Sequence, residues 1–152
     1  MTAQYVRYFA LVYGIVFLLV GIAGFVPGLV APPEEGWQLT VNSGFGHLFN
    51  LFPVNVLHNL VHIVFGIWGL AAYRTFSASR TYARAVAVIY AVLTVMGLIP
   101  ALATTFGLIP IYGHDVWLHG MLAIVAAYFG WASVREEPVP VGATSTGQVR
   151  RP

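Results

Sequence analysis

The chain has 152 residues, is 59% hydrophobic and only 8% charged, and has a mean hydropathy of +0.80. Against the about 25% charged residues of a soluble domain, this composition predicts an integral membrane protein. The formal charge of +2 comes from arginines alone, too few and too scattered for a nucleic-acid surface, and the absence of cysteine excludes disulfides, thiolate metal sites, iron–sulfur clusters and c-type haem.

A hydrocarbon core of about 30 Å needs about 20 helical residues. Four apolar runs meet that length, at about 8–27, 54–73, 85–106 and 116–134. They predict an all-α membrane protein, a four-transmembrane-helix bundle over residues 1–135 with a tail over 136–152. The first run exceeds the 7–15 apolar residues of a signal-peptide core and is read as retained. In the loop after it, Glu34 and Glu35 are expected to be solvated unless the loop folds back onto a metal. Phe45–Phe52 is expected to lie along the outer interface as a short helix or turn, with His47 exposed to water or capping the bundle. Pro100, after Gly97, predicts a kink in the third helix, where Thr104 and Thr105 can satisfy freed carbonyls. Trp37, Trp117, Trp131, Tyr73, Tyr82 and Tyr112 fit interfacial belts. The tail, rich in Pro, Gly, Ser and Thr, is expected to be disordered.

Charge orients the bundle. Arg7 precedes the first run, Arg74, Arg80 and Arg84 separate the second from the third, and Arg135, Arg150 and Arg151 follow the fourth. The other two loops carry no basic residue but His. The positive-inside rule therefore places both termini in the cytoplasm. His47, His58, His62, His114 and His119 then all fall on the extracytoplasmic side.

An internal repeat sharpens this picture. Tyr5, Arg7 and Tyr13 recur at matched spacing as Tyr82, Arg84 and Tyr90, and aligning His62 with His119 also aligns His58 with Asp115. The chain reads as two helical hairpins forming a weak parallel repeat about an axis along the membrane normal. Such an axis predicts that the second and fourth helices stand face to face. Residues four apart share a helix face, so the dyads His58/His62 and Asp115/His119 would oppose each other there.

Three imidazoles and a carboxylate from two helices match the ligand types of a divalent zinc, manganese or non-haem iron site. Alternatively His62 and His119 hold the iron of a haem b from opposite sides, with Phe65, Trp68 and Trp117 packing the macrocycle. Asn55, Asn59 and His114 are partners that would fix imidazole tautomers. Asn55, following Pro53, also suits an N-cap of the second helix. Gly66 and Gly69 continue the His62 face and admit a close neighbour. Two further readings stay open: purely interhelical hydrogen bonding by the histidines, and binding of a lipid or quinone headgroup. No phosphate loop, nucleophile motif or pair of embedded carboxylates supports an enzymatic mechanism. Four short helices are small for a channel acting alone, which favours a homo-oligomer or an accessory or scaffold subunit of a larger membrane complex.

The strings "NLFPVNVLHNLVHIVFGIWGL" and "HDVWLHG" resemble the signature of a family of small bacterial four-helix membrane proteins, domain of unknown function 4383, over roughly Tyr5 to Val134. The resemblance implies a multi-pass protein of the bacterial inner (cytoplasmic) membrane. His58, Asn59, His62, Asp115 and His119 match the family's polar positions, and His47 and His114 are not carried over. It implies a fold and no activity.

Overall fold

The computed structural model describes residues 2–33 and 36–132. Glu34, Glu35, Arg135, Arg150, Arg151 and the tail, with the expectations attached to them, lie outside the described residues.

Four helices carry the fold: α1 (Ala3–Ala23), α2 (Val56–Ala72), α3 (Phe76–Leu98) and α4 (His114–Trp131). Two of them, α1 and α3, are long and apolar enough to cross a membrane, and α2 is apolar but shorter. Large apolar side chains are exposed on every helix, among them Leu19 on α1, Val64 on α2, Val95 on α3 and Ile124 on α4.

The tightest packing is α1 against α2 and α3 against α4, with α1 and α3 meeting in the middle. The hairpins are built alike. Gly66 and Gly69 on α2 are buried, as are their repeat equivalents Ala123 and Ala126 on α4. On the first helix of each hairpin, Val6, Phe9 and Ala10 are buried, as are Ala83, Val86 and Ala87. Arg7 donates from Nε to the carbonyl of Tyr73 at 2.9 Å, and its counterpart Arg84 donates from Nε to the carbonyl of Gly130 at 2.8 Å. In each hairpin an arginine near the start of the first helix thus ties down a carbonyl left over at the end of the second. Small residues set the separation within the first hairpin: a Cβ on Gly14 would come within 2.8 Å of the Leu70 nitrogen and 3.0 Å of the Gly66 oxygen.

Several expectations are corrected. The repeat does not bring α2 and α4 face to face, because α1 and α3 meet between them and leave α2 and α4 on a diagonal. The third helix begins at Phe76, where Thr75 Oγ1 accepts from the Ala78 N–H at 3.2 Å. It ends at Leu98 and is not kinked by Pro100, since the residue before a proline is driven from the helical region; Ile99 is extended at φ −103°, ψ 112°. Residues 99–113 are turns, and Thr104 and Thr105 hydrogen-bond within them rather than to α3. Tyr82 and Tyr112 are buried rather than interfacial.

The segment expected as a short helix or turn along the interface is a strand pair joined by a turn at 49–51. Strands β1 (Val30–Ala31), β2 (Gly46–Leu48) and β3 (Phe52–Val54) pair antiparallel in that order, Leu48 opposite Phe52 and Ala31 opposite His47. The turn between β2 and β3 uses Phe49 and Asn50 at φ 53° and 59°, the left-handed pair that suits the twist of a hairpin. Pro53, which cannot donate, is accommodated on an edge strand. His47 is buried, its ring 6.2 Å from that of Tyr112, which stacks on Trp37 at 3.9 Å. This small sheet and the 99–113 connection form a cap over one end of the bundle; the arginine bonds lie at the other.

Candidate functional site

Beneath the cap, the first turn of α2 presents His58 and the next turn His62, while the first two turns of α4 present Asp115 and His119. Local chemistry places each of them. Asn55 caps α2, its Oδ1 accepting from the His58 N–H at 2.9 Å. With 0% exposure, Asn55 also donates from Nδ2 to the carbonyls of Val41 at 2.8 Å and Leu108 at 2.7 Å. One side chain therefore starts α2 and fastens both outer connections to it. Asp115 stands in the first turn of α4, where unpaired N–H groups and the helix dipole favour negative charge.

The ligating atoms of His58, Asp115 and His119 all lie within 4.8 Å of one another. His58 Nδ1 is 3.0 Å from the Pro53 carbonyl oxygen. A carbonyl only accepts, so the proton sits on Nδ1 and the lone pair on Nε2, the arrangement in which a metal-binding imidazole is oriented by a backbone carbonyl. Asp115 Oδ2 is 3.9 Å from the same Nδ1, too far for a hydrogen bond. Asp115 and His119 are 3% and 2% exposed, and Asp115 Oδ2 and His119 Nδ1 have no hydrogen-bond partner among the described residues. The diagonal that α2 and α4 occupy is thus bridged at its capped end by side chains rather than by backbone packing.

His62 belongs to the cluster differently. Its ring is 4.6 Å from that of His58 and stacks on Phe17 at 5.6 Å, and its Nδ1 has no partner among the described residues. It stands outside the three-residue group. Tyr90 packs edge-on to His119 at 4.9 Å. Asn59 donates to the Gly24 carbonyl at 2.8 Å and orients α1 rather than an imidazole. His114 is exposed and accepts from Trp117 Nε1 at 3.0 Å. Of the aromatic residues expected around a macrocycle, Phe65 lies inside, 6.0 Å from Phe17, while Trp68 and Trp117 are on the outer surface.

Phe17, Tyr90 and the Pro53 carbonyl escaped the reading of the sequence as parts of the site. Tyr90 carried a signal, since it recurs in the repeat, but nothing local ties residues of α1 and α3 to histidines on α2 and α4. Two cavities flank the imidazoles. One of about 230 Å³ lies between α1, α4 and the cap, and another of about 160 Å³ lies between α2, α3 and the 99–113 connection; His58, His62 and His119 line both.

No curated protein and no solved structure matches the chain. Among protein families, the one described as Domain of unknown function (DUF4383) matches residues 7–132, which contain all four helices apart from the first turn of α1, and the chain belongs to that family.

Proposed function

We propose that this protein spans a membrane four times and holds one divalent transition-metal ion with His58, Asp115 and His119 just beneath its extracytoplasmic cap. The membrane reading is supported by the exposed apolar side chains on all four helices, including α2 and α4, because soluble monomers rarely expose contiguous apolar patches larger than a few hundred Å². Charge supplies the orientation, with Arg7, Arg80 and Arg84 bonded at the end away from the imidazoles.

The metal reading rests on one observation: the ligating atoms of buried Asp115 and two imidazoles lie within 4.8 Å of one another, and one oxygen of that carboxylate has no hydrogen-bond partner among the described residues. A buried polar atom without a partner costs free energy, and a divalent cation would satisfy this one together with His119. Tetrahedral ligands about 2.0–2.1 Å from zinc are about 3.3 Å apart. Closing the widest separation in the group by about 1.5 Å is within reach of side-chain rotation. Two imidazoles and one carboxylate also leave a coordination position open for a further ligand. Haem is less well supported, because a macrocycle between His62 and His119 would have to displace Phe17 and Tyr90, both buried and packed on those rings.

Elemental analysis and an absorption spectrum of one gently purified preparation test this. Metal should copurify at about one per chain and fall to background in Asp115→Ala and His119→Ala, without a Soret band. A Soret band lost in His62→Ala would replace the metal with haem, and neither signal would leave the histidines as hydrogen-bonding groups.

A further inference from the structure

The larger cavity beside the imidazoles has a composition that a metal alone does not explain. Its walls are apolar: Val16, Phe17 and Val20 from α1, Leu118 and Leu122 from α4, and Val54 from the cap. Its polar end is His58, His62, Asp115 and His119. The exposed members of the lining are Val16 and Phe49, so the cavity opens sideways, along the seam where α1 and α4 pack least, under the β2–β3 turn. In a membrane-spanning protein that mouth faces lipid rather than water.

We infer that this cavity takes the ring of a quinone-class lipid, entering laterally from the bilayer with its oxygen toward His62 and its apolar tail left in the mouth. Size, polarity and charge each select this occupant. An apolar protein cavity of about 150 Å³ accepts benzene; about 230 Å³ suits one substituted six-membered ring and is too small for a whole lipid. Ligand pockets of this kind combine apolar walls with a few convergent polar groups. Here His62 lines the cavity, its Nδ1 has no hydrogen-bond partner among the described residues, and it lies outside the three-residue metal set. A neutral head is favoured over a phosphate, because among the described residues the arginines are grouped at the opposite end, Arg7, Arg80 and Arg84 on helix-terminal carbonyls and Arg74 after α2. Phe49, in left-handed backbone at φ 53°, sets an exposed aromatic ring at the rim. The inference rests on the membrane-spanning reading and does not require the metal.

The test is photoaffinity labelling of the full chain in lipid nanodiscs with an azido-quinone, competed by decylubiquinone and, separately, by phosphatidylglycerol. Labelling that decylubiquinone competes away is expected on peptides of α1 and α4 around Val16 and Leu122. It should fall at least fivefold in Leu122→Trp, which fills the cavity, and in Val16→Trp, which closes the mouth from the surface and spares the fold if Leu122→Trp does not. Ile124→Trp, on the lipid-facing side of α4, should label like the unaltered chain. Labelling that Val16→Trp leaves unchanged, that decylubiquinone does not compete, or that phosphatidylglycerol competes equally well overturns the inference. Repeating the assay after chelation separates the two readings: competed labelling that persists without metal supports the cavity by itself. A chain that does not insert into nanodiscs overturns both the membrane reading and this one, whereas an inserted chain without competed labelling overturns only this one.

Discussion

Asn55 donates to the carbonyl of Leu108 at 2.7 Å, joining the start of α2 to a connection 53 residues further along the chain. The same side chain caps α2 through His58 N–H and holds Val41, so the depth and direction of His58 depend on both outer connections.

Asn55→Ala should therefore destabilise well beyond an ordinary cap. A lost cap costs about 1 kcal/mol and each of the two carbonyls left unpaired about 1–3 kcal/mol, for a loss of about 3–7 kcal/mol. Asn55→Asp keeps the cap acceptor but turns it against two carbonyls, and should be no better. Unfolding in detergent measures both, and an alanine variant within about 0.5 kcal/mol of the unaltered protein would show that the strap carries no load.

Metal binding should appear as stability. A ligand that binds only the folded state at about 100 times its dissociation constant stabilises by about 2.7 kcal/mol. Zinc should raise the unfolding temperature of the chelator-treated protein, and the rise should vanish in Asp115→Ala and His119→Ala. His62→Ala should retain most of it, since His62 lies outside the ligating group. An equal loss in all three variants would make His62 a fourth ligand.

The glycines divide by what a methyl group would strike. On Gly66 a Cβ would meet Leu18 N at 2.8 Å and Gly14 O at 2.9 Å, whereas on Gly120 the nearest atom is Thr94 Cγ2 at 3.5 Å. Gly66→Ala should force α1 and α2 apart and cost about 1–3 kcal/mol. Gly120→Ala, in ordinary contact and relieved of glycine's poor helix propensity, should be neutral or gain up to about 1 kcal/mol. Thermal unfolding of the two single variants, side by side, decides whether backbone approach sets the α1–α2 distance.

Orientation can be read chemically, because the chain has no native cysteine. Gln38→Cys and Ser77→Cys both replace exposed residues, one in the connection before β2 and the other at the start of α3. An impermeant maleimide added to intact cells should label the first and not the second. The reverse pattern would put the imidazole end in the cytoplasm.

What the sequence by itself determined is the local and periodic part of this protein. Apolar runs and the low share of charge predicted the class, i,i+4 spacing set His58 with His62 and Asp115 with His119 on shared faces, the repeat aligned the two dyads in sequence, and Asn55 was legible as a cap because its partner is three residues away. Neither end of α3 was read from hydropathy, which put the helix at about 85–106: its polar first turns, "FSASRTYA", are helical because Thr75 starts them and Arg80 and Arg84 find the Gly130 carbonyl, and Pro100 stops it at Leu98. Only the tertiary structure decided that α2 and α4 lie on a diagonal, that the Phe45–Phe52 segment becomes strands over a buried His47, that Asn55 fastens both outer connections, and that His62 packs on Phe17 outside the three-residue group. The physical reason is range. Spacing along a helix says which side chains share a face, but which groups from other helices and loops meet that face depends on how closely small residues such as Gly14 and Gly66 let the backbones approach, and that is settled only when the whole bundle packs.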